Sequence, residues 1–187
     1  MTVSHDLDER FRAAAASAGL LDVAYELADT PIGDVLVAAT PRGLCRISYR
    51  GEAEVERLAK DFGARVLRSP KPLEPVRRQL DEYFEGRRRD FELELDLVAP
   101  EFHREVLAEL ARVPFGETTT YGTLATRVRR PNAARAVGTV MNRNPIPIVL
   151  PCHRVIGANG SLVGYGGGLD RKRALLALEG ALTLQLS

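Results

Sequence analysis

Tryptophan is absent from this chain, cysteine occurs twice and histidine three times in 187 residues. Each shortage excludes something. Cys45 and Cys152 are too far apart in sequence to suggest a disulfide framework. With only His5, His103 and His153 beside them, a four-ligand zinc site is hard to assemble, so no metal is expected. No apolar run approaches the roughly 20 residues that span a bilayer. Met1 to Arg12 is charged and lacks the apolar core of a secretion signal. A cytoplasmic protein with reduced thiols and no membrane partner is expected.

Acidic residues are missing from one long stretch. Thr118 to Leu169 holds none, against six arginines: Arg127, Arg129, Arg130, Arg135, Arg143 and Arg154. The net charge of +1 conceals a split, since residues 103–187 carry 11 Lys and Arg against 5 Asp and Glu. Solvated faces normally mix both signs; a window of one sign is the footprint of a surface that meets phosphate.

With 45% apolar residues the chain can bury real cores, and its pattern changes at Val98-Ala99-Pro100. Two domains are expected, 1–98 and 99–187, in an α+β fold. In the first, Ser4 to Ala18 reads as a helix. Leu21 to Ala28, Asp34 to Ala39 and Leu44 to Arg50 read as a three-stranded sheet, turned at Pro31-Ile32-Gly33 and Pro41-Arg42-Gly43. Glu52 to Phe62 and Leu73 to Phe84 read as amphipathic helices and Phe91 to Leu97 as an edge strand, with Cys45 in the core. This unit carries no evident chemistry and is expected to brace its neighbour.

The second half is expected to be mostly helical, of winged helix-turn-helix type. Pro100 to Val113 places Phe102, Val106, Leu110 and Val113 on one helical face. Tyr121 to Val128, capped by Thr120, is followed by a break at Arg129-Arg130-Pro131 and by a helix from the cap Asn132 to about Asn142. Two short helices so joined form a DNA-binding unit whose second member enters a groove. Ala133, Ala134, Ala136, Gly138 and Thr139 give that helix small side chains, with Arg135 its one long group. Small residues suit close approach to a duplex, and equally suit packing against another helix.

Beyond it, Asn144-Pro145-Ile146-Pro147-Ile148-Val149-Leu150-Pro151 leads into Cys152-His153-Arg154-Val155. Three prolines stiffen the approach, and a thiol follows beside an imidazole and a guanidinium that favour its thiolate. A free cysteine can also be a small buried hydrophobe. A reactive thiol behind a DNA-binding helix suits chemistry on an extruded base, with Arg135 placed to fill the vacated stack.

These residues resemble the O6-alkylguanine-DNA alkyltransferases, or methylated-DNA-protein-cysteine methyltransferases. The likeness runs from about Phe102 to Gly180, through Phe115-Gly116-Glu117, Tyr121-Gly122, residues 133–138, Asn144-Pro145, residues 151–155, Gly167-Gly168-Leu169 and Glu179-Gly180. The first half resembles the family in size, strand content and Thr30-Pro31-Ile32-Gly33.

The resemblance implies roles for single residues. Cys152 is the alkyl acceptor, His153 its base through a bound water, and Glu179 the carboxylate that orients His153. Asn144 ties the recognition helix to the active-site loop, where a plain helix cap is the local alternative. Tyr121 donates a hydrogen bond to the departing guanine. The base pocket includes Met141, Val155, Tyr165, Gly166 and Gly167, with the carbonyls of Cys152 and Val155 accepting from the guanine amino group. Residues 133–136, Gly138, Thr139, Tyr121 and Arg154 meet DNA. Relatives often carry serine or alanine where this chain has Gly166. With four glycines among residues 163–168, the loop reads as mobile and the substrate range as wide.

No cofactor and no soluble methyl donor are needed, and the partner is alkylated duplex DNA. The protein acts once, on O6-alkylguanine and by extension O4-alkylthymine, as a monomer in solution with cooperative assembly on DNA in prospect. Two alternatives remain: a lesion-recognition module without transfer, whose members lack the cysteine, and a cysteine hydrolase, which would have no use for the arginine window.

Overall fold

The computed structural model describes residues 18–182 together with Arg10 and Ala14. The helix expected over Ser4 to Ala18 therefore lies outside the described residues, apart from Arg10, Ala14 and Ala18. The chain forms two compact units, one of residues 1–85 and 91–98, the other of residues 86–90 and 99–187.

The first unit is built on a sheet of four strands, one more than the sequence suggests. β1 (Val23–Ala28), β2 (Val35–Thr40), β3 (Gly43–Ser48) and β4 (Val66–Arg68) lie in the order β3-β2-β1-β4. β1 and β2 pair antiparallel, with Glu26 opposite Val37, and β2 pairs antiparallel with β3. β4 joins β1 in parallel, Val23 opposite Val66, after the chain crosses over through helix α1 (Val55–Phe62). Three residues are too few to show an alternation, so β4 is invisible to periodicity. Val23, Leu36, Ala38, Cys45 and Leu58 form the core, with Val55 and Phe62 of α1 packed against it. Cys45 is structural, its thiol donating to the Ala38 carbonyl at 3.3 Å while burial pushes its pKa up to about 12.

Phe91 to Leu97 is not an edge strand. It makes a single parallel bridge, Leu44 to Leu95, in which the Leu44 amide donates to Glu94 and the Asp96 amide donates back to Leu44. Gln79 of helix α2 (Glu74–Phe84) holds the segment at Glu92 by donating to its carbonyl at 2.9 Å and accepting from its amide at 2.8 Å. Gly43 must be glycine, because its φ is +143° and a Cβ there would lie 2.4 Å from the Glu94 carbonyl oxygen.

Glu26 of β1 is buried, with no hydrogen bond to Oε1 among the described residues and Arg77 at 3.6 Å. Burial raises its pKa above the ordinary 4.5, against a lowering pull from Arg77. A raised carboxylate costs the folded state stability only above the unfolded pKa. Glu26→Gln is therefore expected to raise the stability of this unit at pH 7, by about 1 kcal/mol from the relieved desolvation less a weak ion pair. Melting curves at pH 7 and pH 4 test this: the gain should vanish at pH 4, and a loss at pH 7 would contradict it.

The second unit begins with helix α3 (Glu101–Ala111), which buries Val106, Leu107 and Leu110. Helix α4 (Tyr121–Arg127) starts at Thr120, whose hydroxyl accepts from the Thr123 amide at 3.1 Å. The chain reverses through Arg129, at φ +58°, and a 3-10 turn over Pro131–Ala133 before helix α5 (Ala134–Asn142). Ala133 and not Asn132 occupies the cap, and no side chain caps it, because the 3-10 turn shifts the helix start by one residue. α4 and α5 form the helix-turn-helix. Where a hairpin wing would stand, β5 (Thr119–Thr120) pairs in parallel with β6 (Val155–Ile156). Helix α6 (Leu169–Leu178) closes the unit. No helix of the described residues is long and apolar enough to cross a membrane.

Candidate active site

The run into Cys152 is fixed by hydrogen bonds as well as by proline. Ile146 and Ile148 are completely buried, and Ile148 takes φ +77°, a conformation a β-branched residue adopts only where its surroundings impose it. Asn144 clamps both ends, donating from Nδ2 to the Leu150 carbonyl at 2.7 Å and accepting from the Ile146 amide at 3.1 Å. Its side chain thus bonds to the backbone of the segment that leads into Cys152.

Cys152 does not lie on an extended strand. Cys152–Arg154 is one turn of 3-10 helix, begun by Pro151 at φ −82° and ψ 63° and closed by the Arg154 amide donating to Pro151 at 2.9 Å. Three residues per turn set successive side chains about 120° apart, so Cys152 and His153 still diverge. Cys152 is 5% exposed. Burial pushes its pKa up to about 11, opposed by a hydrogen bond with Asn144 and the positive field of Lys172.

His153 is completely buried and its Nε2 lies 2.9 Å from Glu179 Oε1. Glu179 caps the C-terminus of α6, where the helix dipole disfavours a carboxylate. Burial also opposes its charge, yet hydrogen bonds from His153 and Arg154 and the positive field of Arg154 hold its pKa at about 2. Because Glu179 is ionised it can only accept, so His153 Nε2 carries the hydrogen and Nδ1 the lone pair. Nδ1 is buried with no hydrogen-bond partner among the described residues. Burial lowers the His153 pKa, Glu179 raises it, and the fields of Arg154 and Lys172 lower it further. The site thus rests with a neutral thiol and a neutral imidazole whose free nitrogen is a base.

Arg154 departs from expectation. Its guanidinium is buried and turned inward, donating from Nε and an Nη to Glu179 at 2.9 and 2.8 Å and from the other Nη to the Val113 carbonyl. With its donors committed to buried acceptors it is not on a DNA-facing surface, and its charge serves Glu179. The remaining arginines of the acid-free window, Arg127, Arg129, Arg130, Arg135 and Arg143, are exposed. Arg130 stacks on Phe102 at 4.8 Å and lies 3.6 Å from Glu105. Arg135 and Thr139 are exposed one turn apart on α5, with Ala136 between them, while Ala133, Ala134 and Gly138 are half-buried.

Tyr121 opens α4 and lies against α5, where a Cβ on Gly138 would be 3.8 Å from its ring. Its hydroxyl donates to the Val163 carbonyl at 3.2 Å, and burial raises its pKa. Gly166 approaches the end of α5, a Cβ there being 3.9 Å from the Asn142 carbonyl. Met141 and Val155 are buried and Tyr165 and Gly167 half-buried. The Val155 amide donates to Cys152, and the Val155 carbonyl accepts from Lys172. Each of the two carbonyls expected to read guanine therefore already accepts one hydrogen bond and retains one lone pair.

The glycine-rich loop is tethered at both ends. Tyr121 and Lys172 hold Val163, Arg171 donates to the Gly167 carbonyl at 3.0 Å, and the Gly168 amide donates to Tyr165. Lys172 is the residue that sequence reasoning passed over. Arg171-Lys172-Arg173 reads as a solvated run, but Lys172 stands three and four residues before the buried Leu175 and Leu176, on the inward face of α6. No group of three or more metal-ligating side chains occurs among the described residues.

Known proteins match both units. Residues 101–181 match the 6-O-methylguanine DNA methyltransferase DNA-binding domain, and residues 23–97 match the ribonuclease-like domain of the same family. A methylated-DNA-protein-cysteine methyltransferase of Mycolicibacterium paratuberculosis is 43% identical over 84% of this chain and 92% of its own length. One from Methanosarcina acetivorans is 40% identical over 84% of this chain and 98% of its own. The crystal structure of the Mycobacterium tuberculosis O6-methylguanine methyltransferase superposes with a TM-score of 0.77 at 39% identity, covering 87% of this chain and 96% of that one. The same bacterium's OGT in complex with DNA gives 0.76 at 39% identity, over 84% and 93%. Family models, sequence identity and fold agree over most of the chain, which belongs to the 6-O-methylguanine DNA methyltransferase family.

Proposed function

We infer that this protein repairs DNA by moving the alkyl group of O6-alkylguanine onto its own Cys152. The observation that carries the mechanism is the buried His153, tied to Glu179 through Nε2 and bare at Nδ1, beside a thiol that burial keeps protonated. A thiol with a pKa near 11 is a poor nucleophile at neutral pH and needs a base. His153 Nδ1 takes the thiol proton through a bridging water, which the divergent side chains of the 3-10 turn favour over direct contact. Glu179 then holds the imidazolium. The Cys152 sulfur attacks the alkyl carbon, a C–S bond forms and the C–O6 bond breaks. Guanine leaves with the electron pair, and Tyr121 donates a hydrogen bond to it. Assistance of this kind is worth about 10² to 10⁴ in rate. The thioether has no leaving chemistry, so each molecule acts once.

DNA is the partner that the exposed arginines and small α5 side chains suit, with Arg135 filling the place of the extruded base. In this reading the free protein is a monomer of the cytoplasm, where Cys152 stays reduced, and several copies can assemble along one duplex. O4-alkylthymine is a second substrate. Residues 1–98 brace the transfer unit.

Incubation with a duplex carrying one O6-methylguanine, followed by peptide mass mapping, tests this. One methyl on Cys152, at one lesion repaired per protein molecule, is expected; continued turnover would favour a hydrolase. Gly166→Ser should fold normally, since the glycine has ordinary backbone angles and room for a Cβ. It is expected to slow benzyl transfer relative to methyl transfer by a few-fold. Equal ratios in both proteins would remove Gly166 from the control of substrate size.

A further inference from the structure

Lys172 has no part in the mechanism above, yet it is completely buried, while Arg46 and Arg154 keep 8% and 5% exposure. No carboxylate pairs with it among the described residues. Its ammonium instead donates to three backbone carbonyls: Val155 at 2.5 Å, Val163 at 2.8 Å and Gly164 at 3.5 Å. Val155 directly follows the turn that carries Cys152, and Val163 and Gly164 begin the loop assigned to the base pocket. One side chain thus joins the nucleophile's turn to the pocket wall. A buried lysine without a counterion is expensive and shifts readily to the neutral form. Such a residue is retained where its position matters.

The Val163 carbonyl accepts twice, from Lys172 and from the Tyr121 hydroxyl at 3.2 Å. Tyr121 is therefore engaged with the backbone in the free protein, and it must turn from Val163 to reach a purine. Losing that donor with no other in place would oppose the exchange. Lys172 keeps the carbonyl satisfied when Tyr121 departs.

We propose that Lys172 is a positioning residue of the alkyl transfer: it pins the Cys152 turn to the base loop and holds the Val163 carbonyl so that Tyr121 can release it for the substrate. The proposal rests on the role given to Tyr121 above. The positive charge of the ammonium favours the thiolate form of Cys152, and a thiolate there would in turn favour the ammonium. The further charged or titratable groups around that thiol are Tyr121, His153, Arg154 and Glu179.

A double-mutant cycle separates this exchange from simple structural support. Single-turnover rates on a duplex bearing one O6-methylguanine are measured for the wild type, Tyr121→Phe, Lys172→Met and the double variant, each checked by its melting curve. In the wild type the loss of the hydroxyl should slow transfer by about 10². In Lys172→Met, where Tyr121 alone satisfies Val163 and is held there, the same loss should cost less than tenfold. Independent penalties that simply multiply would overturn the exchange. If Lys172→Met does not fold, Lys172→Gln takes its place: its amide can still donate to Val163, so the Tyr121→Phe penalty should stay near 10², and a penalty below tenfold would overturn the exchange.

A second measurement needs no DNA. Carbamidomethylation of Cys152 by iodoacetamide, followed against pH, should shift to higher pH when the ammonium is removed. An unchanged profile would overturn Lys172's action on the nucleophile. If Tyr121→Phe costs nothing in the wild type, the fault lies with the role of Tyr121, and Lys172 stands or falls on the iodoacetamide profile.

Discussion

Cys152→Ala is expected to abolish alkyl transfer while leaving fold and duplex binding in place. The thiol is one small buried group whose loss leaves a space for a single sulfur atom, a change of about 1 kcal/mol. The side chains expected to meet phosphate lie elsewhere, on the exposed arginines of α4, α5 and the turn between them. Affinity for an O6-methylguanine duplex should persist and fall steeply with salt, as counterion release by several cations requires. Fluorescence anisotropy on the labelled duplex measures binding, and mass mapping measures transfer. The expected pair of results is wild-type affinity with no methyl on any residue. Methyl transfer in the variant would place the acceptor elsewhere and withdraw the roles of His153, Glu179 and Tyr121. Loss of both binding and fold would mean that Cys152 is needed first as part of the core.

Much of this site is legible without coordinates because its chemistry is local in sequence. Pro151 to Val155 sets a thiol beside an imidazole, and the absence of acid from Thr118 to Leu169 marks the basic half expected to meet DNA. Strands with clear alternation and helices with an apolar stripe are legible for the same reason. Three features escape. β4 is three residues long and exists only because β1 offers it an edge. The 3-10 turn at Cys152 looks extended from its prolines, but backbone bonds from Cys152 to Leu150 and from Arg154 to Pro151 curl it. Arg154 counts as one more surface cation until its partner, 25 residues away, is known to be buried beside it.

Charge in the interior is the deepest of these omissions. Arg154, Lys172, His153 and Glu179 are all buried within one unit, and three of the four could be read as solvent-exposed. A formal charge carries no sequence mark of its surroundings; only the spacing of Lys172 before Leu175 and Leu176 hints at an inward position. The two positive fields have one consequence for the chemistry. Together with burial, the larger cause, they oppose the protonation of His153 that Glu179 alone would favour, and the imidazole stays neutral.

Glu179→Gln is expected to destabilise this unit by about 3–5 kcal/mol and to slow transfer by 10² or more, since it breaks a buried ion pair and removes the support of the imidazolium. Glu179 accepts from His153, from Arg154 twice and from the Gly116 amide at 3.3 Å. An amide can accept at one of its two heavy atoms only, so part of this donor set would face another donor, and Arg154 would be buried without a counterion. The pH dependence identifies the cause. With its pKa held at about 2 against an ordinary 4.5, Glu179 stabilises the folded state above pH 4.5 and loses that contribution as pH falls toward 2. His153, lowered by burial, is neutral in the fold, so stability also declines as pH falls through its ordinary 6.5 and the unfolded chain takes up a proton. The wild type should therefore lose stability in two acid steps, and Glu179→Gln should lack the lower one. Melting temperatures from pH 7 to pH 3 would show the gap between the two proteins widest at neutral pH and narrowing below pH 4.5. A gap independent of pH would trace the loss to packing and not to the carboxylate's charge.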